Sequence, residues 1–271
     1  MKLLLTGASG ALGRMLTKRL GERHTLTLTD IQPFPEAVPQ GARFEQADLG
    51  DKEAVLALCD GQEGILHFGG ISVEDEFELI LNANLRGLHH IFEGARAAGA
   101  RVVFASSNHA IGYWERDEVL EEDCVMRPDT FYGLSKAYGE LMGRLYWDKH
   151  GVESASFRIG SCLAEPSDRR HLSSWLSHDD LVRLIERCLE IDRLGCQIVW
   201  GASRNRRRWW RDAKGGAIAQ VLQDDAEVFA REILADDKPL DPVSERYQGG
   251  VYCAMDYDRK EFSPHDPFDV R

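Results

Sequence analysis

Tyr132 and Lys136 stand four residues apart in the run Phe131-Tyr-Gly-Leu-Ser-Lys-Ala-Tyr138. On a helix that spacing puts both side chains on one face, with Cβ atoms roughly 5–6 Å apart. A free phenol, with a pKa near ~10, is a poor base at neutral pH. An ammonium beside it favours the phenolate, so Lys136 is expected to lower the Tyr132 pKa and make the pair a proton-transfer device. The spacing alone is unspecific. It gains weight from a glycine-rich turn at the N-terminus and from the serines of Ser106-Ser-Asn-His109. Together these residues read as an enzyme that moves a hydride while a tyrosine takes the proton.

The glycine-rich turn is Gly7-Ala-Ser-Gly10-Ala-Leu-Gly13. Its first glycine allows a tight turn, its second lets backbone approach a pyrophosphate, and its third packs helix on strand. The helix N-terminus then faces the anion, with Ala11 and Leu12 beside it. An ordinary strand-to-helix turn has the same look, but here an apolar run precedes it and a helical pattern follows. Asp30 comes seventeen positions after Gly13. A carboxylate there accepts hydrogen bonds from the ribose hydroxyls of NAD and repels the extra phosphate of NADP. The chain continues Ile31-Gln32-Pro33 without an arginine. The expected cofactor is NAD.

These residues need strands and helices in strict alternation. Residues 2–6 read as a buried strand, and a helix from about Ala11 to Gly21 carries Leu12, Met15, Leu16 and Leu20 on one stripe. Further strands are expected at Thr25–Asp30, Arg43–Asp48, Gly64–Phe68, Arg101–Ser106 and Val152–Ile159. A helix capped by Asp51 begins near Lys52, and a longer one carries Phe77, Ile80, Leu81, Asn84, Leu88, Ile91, Phe92 and Ala95. The Tyr132 helix runs to about His150, where Gly151 stops it. The pattern predicts an α/β fold, a doubly wound parallel sheet. Beyond residue 160 come a helix after Ser177-His-Asp-Asp180, a strand at Gln197–Trp200, a helix over about Asp225–Leu234, and a polar, proline-containing tail from Lys238. The chain reads as one domain over 1–271, with about 161–271 as a small substrate-side region.

With 271 residues the chain can bury one sizeable core. Its net charge of −12 argues against nucleic acid or an acidic membrane as a partner, and obliges any anionic substrate to find local cations. The six cysteines include no Cys-x-x-Cys pair, which fits buried thiols in a reducing compartment. Met1-Lys-Leu-Leu-Leu-Thr is too short for a signal peptide. No apolar run approaches the ~20 residues of a membrane span, so the expected location is the cytoplasm.

Glycine spacing, Tyr132 and Lys136 together resemble the extended short-chain dehydrogenase/reductase superfamily of Rossmann-type enzymes. A closer similarity is to bacterial uronate dehydrogenases. It is carried by Phe68-Gly-Gly-Ile-Ser-Val-Glu74, Phe104-Ala-Ser-Ser-Asn-His-Ala-Ile-Gly-Tyr113, Arg158-Ile-Gly-Ser-Cys162, Ser174-Trp-Leu-Ser-His-Asp-Asp180 and Val199-Trp-Gly-Ala202. Sugar-nucleotide epimerases of the superfamily are usually longer, with a larger C-terminal region.

The resemblance implies that Ser107 hydrogen-bonds the reacting oxygen, Tyr132 takes its proton, and Lys136 holds the phenolate and the nicotinamide ribose. Ser107 on its own reads sooner as a turn cap; beside Tyr132 and the glycine turn it reads as catalytic. Asn84 interrupts an apolar stripe; it is either a buried amide satisfied by backbone or, by the resemblance, a support for a proton-relay water and the active-site architecture. Implied substrate contacts are Ser72, Ser107, Asn108, His109, Tyr132, Ser161 and Arg170. A guanidinium can grip a carboxylate through two parallel bonds, though Arg169 adjoins Arg170. Asp48 and Leu49 match the adenine contacts, and Phe68, Gly69 and Gly70 match the stretch lining the cofactor. Asp48 alone reads as a helix cap.

Other clusters suggest less. His171, His178, Asp179 and Asp180 lack a metal-ligand spacing, Asp179 reads as a helix cap, and no metal is expected. Arg204-Asn-Arg-Arg-Arg-Trp-Trp-Arg211 is a basic, aromatic island that reads as a solvated loop, a subunit contact or a lid rather than a nucleic-acid patch. The resemblance implies NAD-dependent oxidation of glucuronate or galacturonate at the anomeric carbon to an aldarolactone; a homo-oligomer is expected. Two other readings stay open: a sugar-nucleotide epimerase or dehydratase with the same Tyr-Lys chemistry, and a non-catalytic dinucleotide-sensing regulator. The regulators generally lack the tyrosine and lysine.

Overall fold

Leu3, Leu4 and Leu5 are all fully buried, although successive strand residues face opposite ways. A strand apolar on both faces needs helices on both, and that requirement organises the molecule. The structure, a computed structural model, describes residues 1–235 and 241–259. In order come β1 (Lys2–Thr6), α1 (Ala11–Leu20), β2 (Thr25–Asp30), β3 (Arg43–Gln46), α2 (Lys52–Cys59), β4 (Gly64–His67), α3 (Phe77–Ile80), a π-helical turn (Leu81–Arg86), α4 (Gly87–Ala98), β5 (Arg101–Ser107) and a 3₁₀ turn (Asn108–Ile111). Then follow α5 (Phe131–His150), β6 (Ser154–Ile159), β7 (Ser161–Cys162), α6 (His171–Ser174), β8 (Trp175–Leu176), α7 (His178–Glu190), β9 (Cys196–Gly201), α8 (Gly216–Ala219), α9 (Ala230–Ile233), α10 (Pro242–Arg246) and α11 (Val251–Ala254).

Among the described residues seven strands form one sheet in the order β3-β2-β1-β4-β5-β6-β9, every pairing parallel. Leu3, Leu5, Leu28 and Phe157 pack on one face with Leu16 of α1 and Leu184 of α7. Leu4, Ile65 and Val102 pack on the other with Val55 of α2, Ile91 and Phe92 of α4, and Met142 of α5. The doubly wound architecture expected from the alternation is therefore present. β7 and β8 form a separate two-stranded ladder that the sequence did not signal.

Local chemistry sets the ends of the elements. Asp51 caps α2, its Oδ1 accepting from Ala54 N at 3.1 Å. Ser177, not Asp179, caps α7, with Oγ accepting from Asp180 N at 2.9 Å; Asp179 instead pairs with Arg19. The region over Asp225–Leu234 begins as a 3₁₀ turn before α9. Of the tail expected from Lys238, residues 241–259 include two short helices, and 238–240 and 260–271 lie outside the described residues. Among the described residues no helix is long and apolar enough to cross a membrane.

Candidate active site

Strand order reverses between β1 and β4, and a cleft of about 830 Å³ opens at that point, beyond the carboxyl ends of the strands. Gly7 leaves β1 with φ +71°, and a Cβ there would meet the Phe68 carbonyl oxygen at 2.5 Å. A Cβ on Gly13 would overlap the Gly7 carbonyl. Gly10 begins α1 without a side-chain cap, so Gly10, Ala11, Leu12 and Gly13 present backbone to the cleft near the free N–H groups of the first turn. Asp30, at the end of β2, accepts from Ser9 N and Gln32 N, both at 3.0 Å, with Ile31 beside it on the wall. Asp48 and Leu49 line the same wall; the Asp48 carboxylate accepts from Gly50 N at 2.8 Å and so forms a local turn. Phe68, Gly69 and Gly70 close it from β4. A Cβ-free turn at a helix N-terminus, with a carboxylate held at the next strand end, is a shape that fits a dinucleotide such as NAD.

At the far end of the cleft stand Ser107, Tyr132 and Lys136. Ser107 ends β5, and Tyr132 lies in the first turn of α5. Thr130 Oγ1 caps that helix by accepting from Gly133 N at 3.0 Å, and the Glu74 carboxylate accepts from Phe131 N at 3.2 Å and Tyr132 N at 2.8 Å. A buried ion pair fixes α5 against the sheet: Arg158 of β6 grips Glu140 of α5 at 2.8 Å, and Ser106 Oγ donates to Glu140 at 2.6 Å. Neighbouring Ser107 is set by the same strand, and its side chain hydrogen-bonds Tyr132.

The Tyr132 phenol is shifted opposite to the direction expected from Lys136. Burial pushes the Tyr132 phenol upward, and the Ser107 hydrogen bond only partly opposes it. Lys136 Nζ lies 5.4 Å from the Tyr132 ring centre and donates at 2.9 Å to the Ala105 carbonyl. Burial lowers its own pKa from 10.5 to about 8. The lysine shares the tyrosine's face as the spacing demands, but desolvation sets the direction of the phenol's shift.

Asn84 sits in the π-helical turn and does not line the cleft. Its Oδ1 accepts from Ile71 N at 2.8 Å, and its Nδ2 donates to Ile71 O at 3.0 Å and to Ser135 Oγ at 2.9 Å. The amide ties the loop after β4 to α5. A Cβ on Gly70 would meet Asn84 Oδ1 at 2.6 Å, so that glycine makes room for the tie.

Ser72 and His109 line the cleft; Asn108, Ser161 and Arg170 form a connected layer that does not. Arg170 Nε donates to Gln248 O at 2.8 Å and Nη1 to Ser161 Oγ at 3.3 Å. With its amide oriented to satisfy both atoms, Asn108 accepts from Arg170 Nη2 at 2.6 Å and donates to Ile159 O at 3.2 Å. Among the described residues the guanidinium's three partners are neutral, and burial lowers its pKa. Arg169, by contrast, is exposed.

Three neighbours of the site carried no assigned role in the sequence. Tyr252 of α11 lines the cleft and stacks on His109 with ring centres 4.0 Å apart. Asp129 bonds His109 Nδ1 at 2.7 Å. Glu74 holds the α5 N-terminus, as described above. Asp129 and Glu74 sit in loops, and Tyr252 in a tail without periodicity, so only folding brings them together.

The remaining clusters are internally engaged. Arg206, Arg207, Arg208 and Arg211 of the basic island pair with Asp225, Glu227, Asp212 and Glu121, and Arg204 donates to Gln220 O. Its Trp210 stacks on Trp200 at 5.1 Å. His171 hydrogen-bonds within its own turn, to Ser167 and Asp168, and Asp180 binds Arg183 and the Gln223 and Asp224 amides.

Residues 3–211 match the NAD dependent epimerase/dehydratase family. A uronate dehydrogenase of Agrobacterium fabrum is 47% identical over 254 residues, covering 93% of this chain and 96% of the relative. The crystal structure of a mutant uronate dehydrogenase from Agrobacterium tumefaciens complexed with NAD aligns with TM-score 0.90 at 46% identity, covering 93% of this chain and 97% of the other. A glucuronic acid dehydrogenase from Chromohalobacter salexigens aligns with TM-score 0.90 at 40% identity, covering 93% and 96%.

Proposed function

The chain belongs to the NAD dependent epimerase/dehydratase family, among its uronate dehydrogenases, and we propose that it oxidises a hexuronic acid such as glucuronate or galacturonate at the anomeric carbon to the aldarolactone. It is an NAD-dependent oxidoreductase. Bound NAD supplies the hydride acceptor, and the chain supplies a base, orientation and shelter from water. Ser107 donates to the reacting oxygen while Tyr132 receives its proton. Burial disfavours the phenolate, so the anion that does form is a strong base toward a sugar hydroxyl. Lys136 is the resident positive charge that favours forming it. Residues from about 161 onward supply the substrate side of one domain.

One observation carries the substrate class. Arg170 is a half-buried guanidinium next to this machinery, and among the described residues no carboxylate lies within ion-pair distance of it. Its neutral partners fix its plane and leave it without a directly paired carboxylate, as a site for an incoming carboxylate would require. Steady-state kinetics of two variants test the assignment together. Tyr132→Phe loses ~10²–10⁴-fold in turnover with NAD affinity nearly intact. Arg170→Ala raises the KM for glucuronate ~10- to 100-fold and leaves that for NAD nearly unchanged, with Arg170→Lys recovering only part. Wild-type kinetics in Tyr132→Phe would remove the base; wild-type kinetics in Arg170→Ala would move the carboxylate site elsewhere.

We further infer a homo-oligomer. Phe131, Leu134, Leu141 and Leu145 lie exposed along α5, and the Phe131 ring meets that of exposed Phe77 at 5.3 Å. An apolar row of this length on one helix is a surface that a second copy would cover.

A further inference from the structure

Among the described residues, His109 has a hydrogen-bond partner at Nδ1 and none at Nε2. Its Nδ1 lies 2.7 Å from Asp129 Oδ2, its ring is stacked on Tyr252, and its edge meets Tyr132 at 5.8 Å between ring centres. The Asp129 side chain is wholly buried. Its other oxygen accepts from Thr130 Oγ1 at 3.0 Å, and a Cβ on Gly112 or Gly249 would overlap the carboxylate. Two glycines thus leave the space in which this acid stands against the histidine.

An ionised carboxylate only accepts hydrogen bonds, so the Asp129 contact requires a proton on Nδ1. In the neutral ring Nε2 then carries a lone pair. His109 lines the cleft, so that lone pair belongs to the substrate side. The reacting oxygen is already served by Ser107 and Tyr132. We propose that Asp129 is a positioning residue that locks His109 in the Nδ1–H tautomer, so that Nε2 accepts a hydrogen bond from a second, non-reacting hydroxyl of the sugar. This rests on the uronate reading and deepens it: the site selects a carboxylate at Arg170 and a hydroxyl donor at His109. A buried acceptor left unpaired discriminates strongly against analogues lacking the hydroxyl. The arrangement parallels the aspartate of a serine-protease triad, which fixes tautomer and orientation without itself taking the proton.

Two measurements decide it. In the first, ¹⁵N NMR of the imidazoles in the whole wild-type chain, with the His109 signal identified by its loss in His109→Ala, reads the tautomer without substrate. Protonated Nδ1 and bare Nε2 are expected; the opposite tautomer overturns the proposal. In the second, Asp129→Asn, His109→Ala and the double variant are assayed with glucuronate. Each single change lowers kcat/KM ~10- to 100-fold with the Kd for NAD within about twofold, and the double variant is no worse than His109→Ala alone. Losses that multiply in the double variant would make Asp129 a structural residue and overturn the proposal. A wild type inactive on every uronate would sink the substrate reading instead, and the NMR result would still decide the tautomer.

Discussion

At the residue scale, Tyr132 and Lys136 show what spacing tells and what it omits. Four positions on a helix bring the two together, but spacing says nothing about the medium around them. Burial dominates both groups, raising the phenol and lowering the ammonium to about 8. The lysine makes stability depend on pH with a definite sign. Between about 8 and 10.5 the unfolded chain holds more protons at Lys136 than the folded one, so its contribution to stability rises with pH through that window. Urea unfolding of the cofactor-free wild type and Lys136→Met, at about pH 7 and about pH 9.5, checks this. The difference between them shifts by about 2 kcal/mol in favour of the wild type at the higher pH. An unchanged difference would mean that Lys136 is solvated. The glycines and Asp30 were legible because their roles are local to one turn. Asp129 and Tyr252 were not, being 20 and 143 positions from His109.

At the element scale, the long helix from Phe77 to Ala98 reads as continuous from its apolar stripe, yet it contains a π-helical turn at Leu81–Arg86. Such turns collect at functional sites, and this one carries Asn84 to the loop bearing Ser72. The sequence left open whether Asn84 is a satisfied buried amide or a support for a relay water and the active-site architecture; its bonds to Ile71 and Ser135 tie the loop after β4 to α5. Asn84→Ala strands those buried partners and is expected to cost ~1–3 kcal/mol in urea unfolding with an unchanged m-value. Turnover should fall only through the loosened loop. Loss of turnover by orders of magnitude at full stability would restore the relay. Strand and helix identities in the first 160 residues followed the sequence because strands buried on both faces are continuous apolar runs and the helices that cover them keep a strong apolar periodicity. The short β7–β8 ladder and the helices after 240 lack that periodicity, since their contacts run across the chain.

At the scale of the whole molecule, a net charge of −12 repels an anionic substrate, so recognition must be local. The basic island offers no help, because its arginines are engaged with the chain's own carboxylates and carbonyls. If the exposed row on α5 is the subunit contact, Leu141→Glu shifts the sedimentation coefficient to that of a smaller species while the tertiary fold persists; an unaltered assembly would place the contact elsewhere. The most direct measurement is steady NADH production by the wild-type protein on free hexuronates, neutral aldoses and UDP-sugars, each with NAD and with NADP. NAD-dependent uronate oxidation predicts sustained turnover on glucuronate or galacturonate with NAD, little on neutral aldoses, and none on UDP-sugars. Oxidation of neutral aldoses as efficient as that of uronates, or turnover confined to UDP-sugars, would contradict it.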